Sequence, residues 1–338
     1  MTATANTVSA APGLQLFALG ARRALGEEVA RHLGCELAPH EEREFDDGEH
    51  KTRPLVEVGG RDVFVIHSLG GESGGSPNDK LVRLLFFIGA LRDAGAGRVT
   101  AVVPYLAYSR KDRRTKARDP VTTRYVANLF EAVRTDAIVT LEAHNLSAFE
   151  NAFRRCRPEH VPTAGILADH FASRLTDEQI TVVSPDAGGA KRAELFRREL
   201  ERRTGRAVSM AMMEKRRSAG VVSGSQFCGD VAGATAIVID DLISTGTTLV
   251  RAAAACRERG ATKVIAAAAH GLFTGGAREL FGPAGPDEVV VTNTVPLPSA
   301  LDRGAAGKMT VVDASQLVAG VIARAHRGEA VSDLLPYD

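Results

Sequence analysis

Two adjacent aspartates and a hydroxyl-rich turn follow a short apolar run in the second half of the chain. The run Ala236–Ile239 ends in Asp240 and Asp241, and the turn Ser244–Thr248 leads into a helical pattern. This order predicts a buried strand, a loop and the start of a helix. The backbone N–H groups of such a turn suit a phosphate, and the carboxylates suit ribose hydroxyls or a hydrated magnesium ion. The segment therefore predicts a sugar-phosphate site, with an ordinary capped strand–turn–helix corner as the alternative.

A basic loop follows another apolar run, Ala101–Val103. Behind Tyr105 and Tyr108 it carries six cations within nine positions: Arg110, Lys111, Arg113, Arg114, Lys116 and Arg118. Arginine binds phosphate oxygens in pairs and stacks on aromatic rings, so this loop suits an adenine nucleotide. A solvated surface loop is the alternative.

Two other corners offer ligands for a metal ion. His144 follows an apolar run that ends at Leu141, and Asp186 precedes a Gly-Gly turn and a helical pattern. An imidazole nitrogen and a carboxylate can together hold a divalent cation, and magnesium needs few protein ligands when phosphates supply the rest. The alternatives are a structural histidine and an N-cap in a tight turn.

A charged segment, Glu214–Arg217, precedes the small-residue stretch Ser218–Gly224. The composition suits a mobile lid. Cations on a lid can close over a transferring phosphoryl group and neutralise the charge that develops there. A surface charge cluster in a flexible loop is the alternative.

Short apolar runs alternate with helical patterns along the chain. Strands are predicted at 63–66, 99–103, 137–141, 181–184, 236–239, 263–269 and 288–292, and helices at about 80–94, 122–133, 189–202 and 314–327. Continuous apolar strands separated by helices predict an α/β fold with parallel sheets covered on both faces. Polar loops that follow such strands converge on the carboxyl edges of the sheets. The interruption of the pattern near 157–163 predicts a domain boundary.

Composition narrows the functional classes. The 338 residues suggest two domains, and 42 Lys plus Arg balance 41 Asp plus Glu, so nothing calls for nucleic acid or a membrane surface as partner. The four cysteines are scattered, which favours reduced thiols in a cytoplasmic protein. The N-terminus lacks the basic start of a signal peptide, and no apolar run is long enough to span a membrane. Residues 1–12 are expected to be disordered.

Taken in order, these motifs resemble those of the ribose-phosphate diphosphokinase family, the phosphoribosyl pyrophosphate synthetases. The similarity extends from residue 14 to the C-terminus. It includes Phe45–Glu49, Tyr105–Pro120, His144, Ser184–Arg192, Glu214–Arg217, Asp240–Thr248, His270–Gly275, Thr292–Pro296 and Gly328–Ser332. Type I phosphoribosyltransferases share the sugar-phosphate loop, so that loop alone identifies a ligand class and no reaction.

The resemblance implies a fold and an activity. The fold would be two type I phosphoribosyltransferase-like α/β domains, each a mostly parallel sheet flanked by helices. Residues 13–160, completed by about 316–338, would form the first domain, and residues 161–315 the second. The reaction would be Mg²⁺-dependent transfer of the diphosphoryl group of ATP to the anomeric hydroxyl of ribose 5-phosphate, giving 5-phosphoribosyl 1-diphosphate and AMP. The assembly would be a homo-oligomer, a hexamer or a dimer, with the ATP site shared between subunits.

The resemblance also implies roles for individual residues. Lys215 and Arg217 would be the catalytic cations of the lid, and His144 and Asp186 the magnesium ligands. Contacts to ATP would come from Phe45, Asp47 and Glu49 of a neighbouring subunit and from Arg110, Lys111 and Asp112. Ribose 5-phosphate would be held by Asp240, Asp241, Ser244, Thr245, Gly246, Thr247 and Thr248.

The chain departs from the family pattern at a few positions. Ser244 stands where many members have a third aspartate, and Lys111 stands where glutamine is common. Ala330 and Leu335 replace a serine and a phenylalanine that are typical of members regulated by phosphate and ADP, which weakens the expectation of that regulation. Two other readings stay open: a phosphoribosyltransferase, and a non-catalytic regulatory relative of the synthetase.

Overall fold

Short apolar runs form the strands of two largely parallel sheets in the structure, which is a computed structural model. It describes residues 13–20, 23–70, 75–176, 178–218, 221–275, 277–298, 301, 305 and 307–335, without the side chains at 214–218, 221–225 and 333. Unit 1 comprises residues 1–162, 294–296 and 314–337, and unit 2 comprises residues 163–293, 297–313 and 338. The predicted disorder of residues 1–12 lies outside the described residues.

The elements follow one another in chain order. The strands are β1 Leu14–Ala18, β2 His40–Glu44, β3 His50–Pro54, β4 Asp62–Ile66, β5 Arg98–Val102, β6 Ala137–Leu141, β7 Arg157–Val161, β8 Ile180–Ser184, β9 Ser209–Ser218, β10 Val221–Cys228, β11 Thr235–Ile243, β12 Lys263–Gly271, β13 Glu288–Thr292 and β14 Met309–Val312. The helices are α1 Ala24–Leu33, α2 Pro77–Asp93, α3 Thr122–Ala132, α4 Leu146–Glu150, α5 Ala164–Ala172, α6 Ala190–Thr204, α7 Thr247–Glu258 and α8 Ser315–Arg327.

Unit 1 contains a five-stranded sheet of order β1-β4-β5-β6-β7, in which every neighbouring pair is parallel. Its central strands are almost entirely buried, as expected for a parallel sheet that is covered on both faces. Strands β2 and β3 form a separate antiparallel hairpin. Helix α8 belongs to this unit: His326 Nδ1 lies 2.5 Å from Asp62 Oδ2, and the Arg98 guanidinium donates to the carbonyl of Ala325 at 2.8 Å.

Unit 2 contains a seven-stranded sheet of order β10-β9-β8-β11-β12-β13-β14. All pairs are parallel except β9 with β10, which form an antiparallel hairpin at one edge. Its core packs Phe171 and Phe196 from α5 and α6 on one set of strand residues, and α7 on another. The predicted α/β class with parallel sheets is confirmed.

The predicted helices and strands are all present, with differences at their ends. Helix α2 begins at Pro77, three residues before the predicted start, because Ser76 and Asp79 form a capping box. Strand β11 continues to Ile243, so Asp240 and Asp241 lie within the strand and do not end it. The apolar pattern did not predict β1, the β2–β3 hairpin, β7, β14 or the β9–β10 hairpin that includes the proposed lid, nor did it predict helices α1, α4 and α5. In the part of the chain that the structure describes, no helix has the length and apolar character needed to cross a bilayer.

A buried carboxylate ties α3 to the segment that leads into β7. Glu131 Oε1 accepts hydrogen bonds from the backbone N–H groups of Arg154 at 2.5 Å, Arg155 at 2.6 Å and Cys156 at 3.1 Å. Burial alone would raise the pKa of Glu131, but these three donors outweigh burial and lower it. The ionised side chain therefore satisfies three backbone donors at once.

We expect Glu131→Ala to lower the free energy of unfolding by about 2 kcal/mol at neutral pH, because it leaves the buried Cys156 N–H and two partly buried N–H groups without their acceptor. Glu131→Gln keeps an acceptor but loses the charge, so its loss should be smaller. A lowered pKa means that the carboxylate stabilises the fold above its ordinary pKa and that this contribution is lost as the pH falls. Urea denaturation should show the gap between the parent protein and Glu131→Gln closing with acidification. A gap that stays constant with pH would contradict this account.

Candidate active site

A tight turn joins strand β11 to helix α7 in unit 2. Gly246 has φ +78°, and a Cβ atom there would lie 3.1 Å from the Leu280 Cβ, so the turn requires glycine. Thr245 and Thr247 are exposed on either side, with their hydroxyls 3.2 Å apart. Within the described residues, no side chain caps α7. The N–H groups of its first turn thus suit an anion, in the region where the sequence predicts a phosphate site.

Asp240 and Asp241 lie at the end of β11 that meets this turn, and both face one arginine. The Arg192 guanidinium from α6 lies 3.7 Å from Asp240 Oδ1 and 3.9 Å from Asp241 Oδ1, with its side chain 13% exposed. Burial and the negative charge of Asp241 raise the pKa of Asp240 to about 7, and Arg192 opposes that rise. The two carboxylates therefore repel each other when both are ionised. An added cation or hydroxyl donors would reduce this repulsion.

The sequence reasoning did not identify Arg192 as a site residue. It is the third residue of α6 and stands at the end of the Ser184–Arg192 motif, where a helix of mostly charged surface residues offers many arginines. Only the packing of α6 beside β11 distinguishes Arg192 from the others. The sequence did offer one signal for Arg192. It is a cation in the first turn of a helix, where the helix dipole disfavours positive charge.

Ser244 is bound to a second loop of the same unit. Its hydroxyl lies 2.7 Å from the Thr274 hydroxyl, and its carbonyl accepts from the Thr274 N–H at 3.0 Å. The side chain that replaces the common third aspartate therefore fastens the β11–α7 loop to the segment after β12. The presence of serine at position 244 in place of aspartate did not by itself suggest this structural role.

Asp186 follows β8 and caps a short 3₁₀ turn. Its Oδ1 accepts from the N–H groups of Gly188 at 3.0 Å and Gly189 at 3.2 Å. Gly189 is packed so closely that a Cβ there would lie 3.0 Å from the Ser184 hydroxyl. The carboxylate that the sequence assigned to metal binding thus has a fixed orientation, and it also performs the N-cap role proposed as the alternative.

The segment with Lys215 and Arg217 forms strand β9 of the edge hairpin. Lys215 pairs with Ser225 and Arg217 with Val222, and the register shifts between Val222 and Gly224. The side chains of Lys215 and Arg217 lie outside the described residues, so their assignment as lid cations stays a prediction. Strand alternation places positions 215 and 217 on the same face of β9.

The tip of the β2–β3 hairpin in unit 1 brings Phe45, Asp47 and Glu49 together. Phe45 and Glu49 are joined by a backbone hydrogen bond of 2.8 Å, and Asp47 Oδ1 accepts from the Glu49 N–H at 3.0 Å. The Phe45 ring is 40% exposed and lies under the Arg43 guanidinium at 5.0 Å. An exposed aromatic ring between charged groups suits a planar, polar ligand.

The basic loop between β5 and α3 is organised by Asp119. Its Oδ2 accepts from Lys111 Nζ at 2.6 Å, from the Thr115 hydroxyl at 2.8 Å and from the Lys116 N–H at 3.0 Å. Hydrogen bonds from Lys111 and Thr115 lower the pKa of Asp119, so the carboxylate stays ionised. The Arg110 guanidinium is exposed and has no partner among the described residues. Arg110 is therefore better placed than Lys111 to bind a polyphosphate.

Asn145 joins the loop of Asp112 to the loop of His144. Its Nδ2 donates to Asp112 Oδ2 at 2.6 Å, while its Oδ1 caps α4 by accepting from the Ala148 N–H at 3.2 Å. His144, the adjacent residue, is exposed. Two segments that the sequence analysis treated separately are thus neighbours at the carboxyl edge of one sheet. Asp186, the second proposed metal ligand, belongs to unit 2.

Two family models match most of the chain. One, described as the N-terminal domain of ribose phosphate pyrophosphokinase, matches residues 14–133. The other, described as the phosphoribosyl synthetase-associated domain, matches residues 167–336. Together they leave both ends and a short central segment unmatched.

Whole-length relatives agree with these models. The ribose-phosphate pyrophosphokinase of Caldanaerobacter subterraneus is 37% identical over 322 residues, covering 95% of this chain and 97% of that protein. The enzyme of the same name from Shewanella oneidensis is 35% identical over 328 residues, covering 96% and 100%. The crystal structure of phosphoribosylpyrophosphate synthetase from Mycobacterium smegmatis superposes with a TM-score of 0.83 at 32% identity, covering 94% of this chain and 99% of that one.

We expect Asp240→Asn to gain stability relative to the parent protein as the pH rises from about 5 to about 8. The folded pKa of Asp240 lies above its ordinary value, so folding favours the protonated acid. The free energy of unfolding of the parent protein therefore falls as the pH rises from the ordinary pKa of an aspartate to the folded pKa of Asp240. Asparagine does not titrate, so the variant does not share this loss. Melting temperatures without substrate at several pH values measure the difference.

Asp287→Asn is the matched control. Burial opposes ionisation of Asp287, but the Val264 N–H and Arg257 outweigh it and lower its pKa, so it stays charged throughout this pH range. Its stability difference from the parent should be constant with pH. Parallel curves for the two variants would contradict the raised pKa of Asp240.

Proposed function

The chain belongs to the ribose-phosphate pyrophosphokinase family and forms 5-phosphoribosyl 1-diphosphate from ATP and ribose 5-phosphate, and we propose how its residues carry out this reaction. The anomeric oxygen of ribose 5-phosphate attacks the β-phosphorus of ATP in line. A new oxygen–phosphorus bond forms as the bond from the β-phosphorus to the oxygen bridging to the α-phosphate breaks, and AMP leaves. Such a transfer needs positioning and charge neutralisation more than covalent help.

The observation that carries this proposal is the corner made by β11, the Gly246 turn and α7. The exposed Thr245 and Thr247 and the uncapped start of α7 bind the 5-phosphate. Asp240 and Asp241 accept hydrogen bonds from the ribose hydroxyls, which relieves the repulsion within the acid pair. Ser244 and Thr248 complete the loop, and Ser244 acts by tying it to Thr274.

ATP binds to groups from unit 1. Arg110, exposed and unpaired among the described residues, contacts the polyphosphate, while Lys111 and Asp112 hold the loop through Asp119 and Asn145. The hairpin-tip residues Phe45, Asp47 and Glu49 contact ATP from a neighbouring subunit, so the active assembly is a homo-oligomer. The exposure of these three residues in the single chain supports that role.

The proposed cofactor is Mg²⁺, held by His144 and Asp186. The donor set fits: an exposed imidazole, and a carboxylate whose orientation is fixed by Gly188 and Gly189. Two protein ligands would suffice for magnesium, since water and phosphates can supply the other ligands. When bound, the ion neutralises the polyphosphate and polarises the β-phosphorus. The protein contributes by holding the two ligands and by keeping Asp240 and Asp241 available for the sugar.

Lys215 and Arg217 are the proposed catalytic cations. Their shared face on β9 lets a single movement of the hairpin bring both charges to the transferring diphosphoryl group. Cations that contact the diphosphoryl group mainly in the transition state stabilise that state more than the bound substrates.

The reaction itself is tested by incubating the purified chain with ATP, ribose 5-phosphate and Mg²⁺ in the absence of any nucleobase. We expect AMP and 5-phosphoribosyl 1-diphosphate in equal amounts. A phosphoribosyltransferase would leave ATP untouched under these conditions, and a non-catalytic regulatory relative would form neither product. Omitting Mg²⁺ and adding a chelator should abolish AMP formation if the cofactor is assigned correctly.

We expect Lys215→Ala to lower kcat by about a hundredfold or more while changing the Kd for ATP much less, because the cation acts mainly in the transition state. Initial rates and equilibrium binding of ATP provide the two measurements. Arg216→Ala is the control, since position 216 lies on the opposite face of β9. Near-normal turnover of Lys215→Ala would remove the β9–β10 hairpin from the mechanism.

A further inference from the structure

An arginine on helix α2 holds the β2–β3 hairpin of unit 1. The Arg83 side chain is only 12% exposed, although it ends in a guanidinium. Its NH2 group lies 2.6 Å from Glu44 Oε1, and its NH1 group lies 3.3 Å from Glu42 Oε2. Both carboxylates belong to β2, so a single side chain spans the gap between helix and hairpin. Arginine suits this task because its planar fork binds more than one oxygen at once.

Glu42 extends this contact into the body of the unit. Its Oε1 accepts from the Gly20 N–H at 2.8 Å and lies 3.0 Å from His40 Nε2. Burial alone would raise the pKa of Glu42, but the bonds from His40 and Gly20 outweigh burial and lower it to about 2. The carboxylate that Arg83 meets is therefore charged, half-buried and already fixed from the other side. Removing the arginine would take one of its charged partners away from a carboxylate in a poorly solvated position.

The base of the hairpin has further supports, because the His40 ring packs on Phe17 and Phe87 and Thr52 is buried. His50 on β3 stacks on Phe86 of α2 with 5.5 Å between ring centroids, and Phe86 lies one helical turn from Arg83. Beyond these contacts, all residues from Arg43 to Glu49 are exposed. A two-stranded hairpin is marginally stable by itself, so the direction of its tip depends on what anchors its strands. Glu44, the outer end of the Arg83 contact, immediately precedes Phe45.

We propose that Arg83 is a positioning residue for ATP, which acts through Glu42 and Glu44 to set the angle at which the hairpin tip presents Phe45, Asp47 and Glu49. This rests on the proposed function, in which these three residues contact ATP. Arg83 itself does not touch the nucleotide. Its influence is exerted on the active site of a neighbouring subunit, and the sugar-phosphate corner of its own chain is unaffected.

The kinetic test compares Arg83→Met with Arg92→Met. Arg92 is the matched control because it lies on the same helix, has a side chain that is also 12% exposed and pairs with an acid, Asp136, away from the hairpin. We expect Arg83→Met to raise the KM for ATP by about tenfold, since small misplacements of contact groups are costly, while the KM for ribose 5-phosphate stays within about twofold. Arg92→Met should shift neither constant. Arg83→Lys keeps the charge and should recover part of the affinity for ATP.

A second measurement reads the hairpin directly. The chain contains no tryptophan, so Asp46→Trp introduces a single fluorophore at the hairpin tip, at an exposed position with no proposed contact to ATP. In that background and without substrates, Arg83→Met should lower the fluorescence anisotropy, and Arg92→Met should not. Titrating ATP into the same samples gives a Kd that does not depend on product formation.

The outcomes separate this inference from the proposed function. Equal anisotropy in the two arginine variants would overturn the anchor, whatever reaction the chain catalyses. A lowered anisotropy with unchanged Kd and KM for ATP would overturn the role in ATP binding. Equal losses for both substrates, or for both arginine variants, would mean general destabilisation and would also overturn it. Failure to form AMP would overturn the proposed function. The anisotropy and the Kd for ATP would still show whether Arg83 positions the hairpin.

Discussion

Parallel strands that are buried on both faces can carry charged side chains only near their ends, and this constraint places most of the candidate site. Strands β6 and β8 are buried along their whole length, and His144 and Asp186 appear only after them. Arg110 likewise follows β5. A charged group farther inside a strand would lose water without finding partners. The charged groups of the candidate site therefore lie at one edge of each sheet, where the loops meet and water is accessible.

Asp240 and Asp241 test that constraint, because they lie inside β11 and are close to one another. The structure tolerates them through Arg192, whose guanidinium faces both carboxylates. The pair remains strained, as the raised pKa of Asp240 indicates. In the proposed function, a hydroxyl-rich, anionic substrate would reduce this strain by donating hydrogen bonds to the two carboxylates. Stability and function thus oppose each other at this corner.

The β2–β3 and β9–β10 hairpins are antiparallel, unlike the other strand pairs of the two sheets, and both carry residues with proposed roles in handling ATP. The β2–β3 hairpin is separate from the five-stranded sheet, and the β9–β10 hairpin forms an edge of the seven-stranded one. Each can thus have its orientation set by a few contacts, and for the first hairpin Arg83 supplies the main charged one. In the proposed function, the parallel sheet holds the sugar-phosphate loop, and the two hairpins contact the triphosphate.

The sequence by itself determined the α/β class, several of the core strands and helices, and the polar loops that follow them, because each depends on neighbours within a few positions. Its resemblance to one family indicated the reaction. It did not reveal the β2–β3 hairpin, since His40–Glu44 is polar on both sides and lacks strand alternation. Nor did it single out Arg83, Arg192 or Asn145 among many polar surface residues. Only the tertiary structure decided those roles, because Arg83 meets Glu42 and Arg192 meets Asp240 across more than forty positions of chain, and such contacts arise from packing that no local pattern encodes.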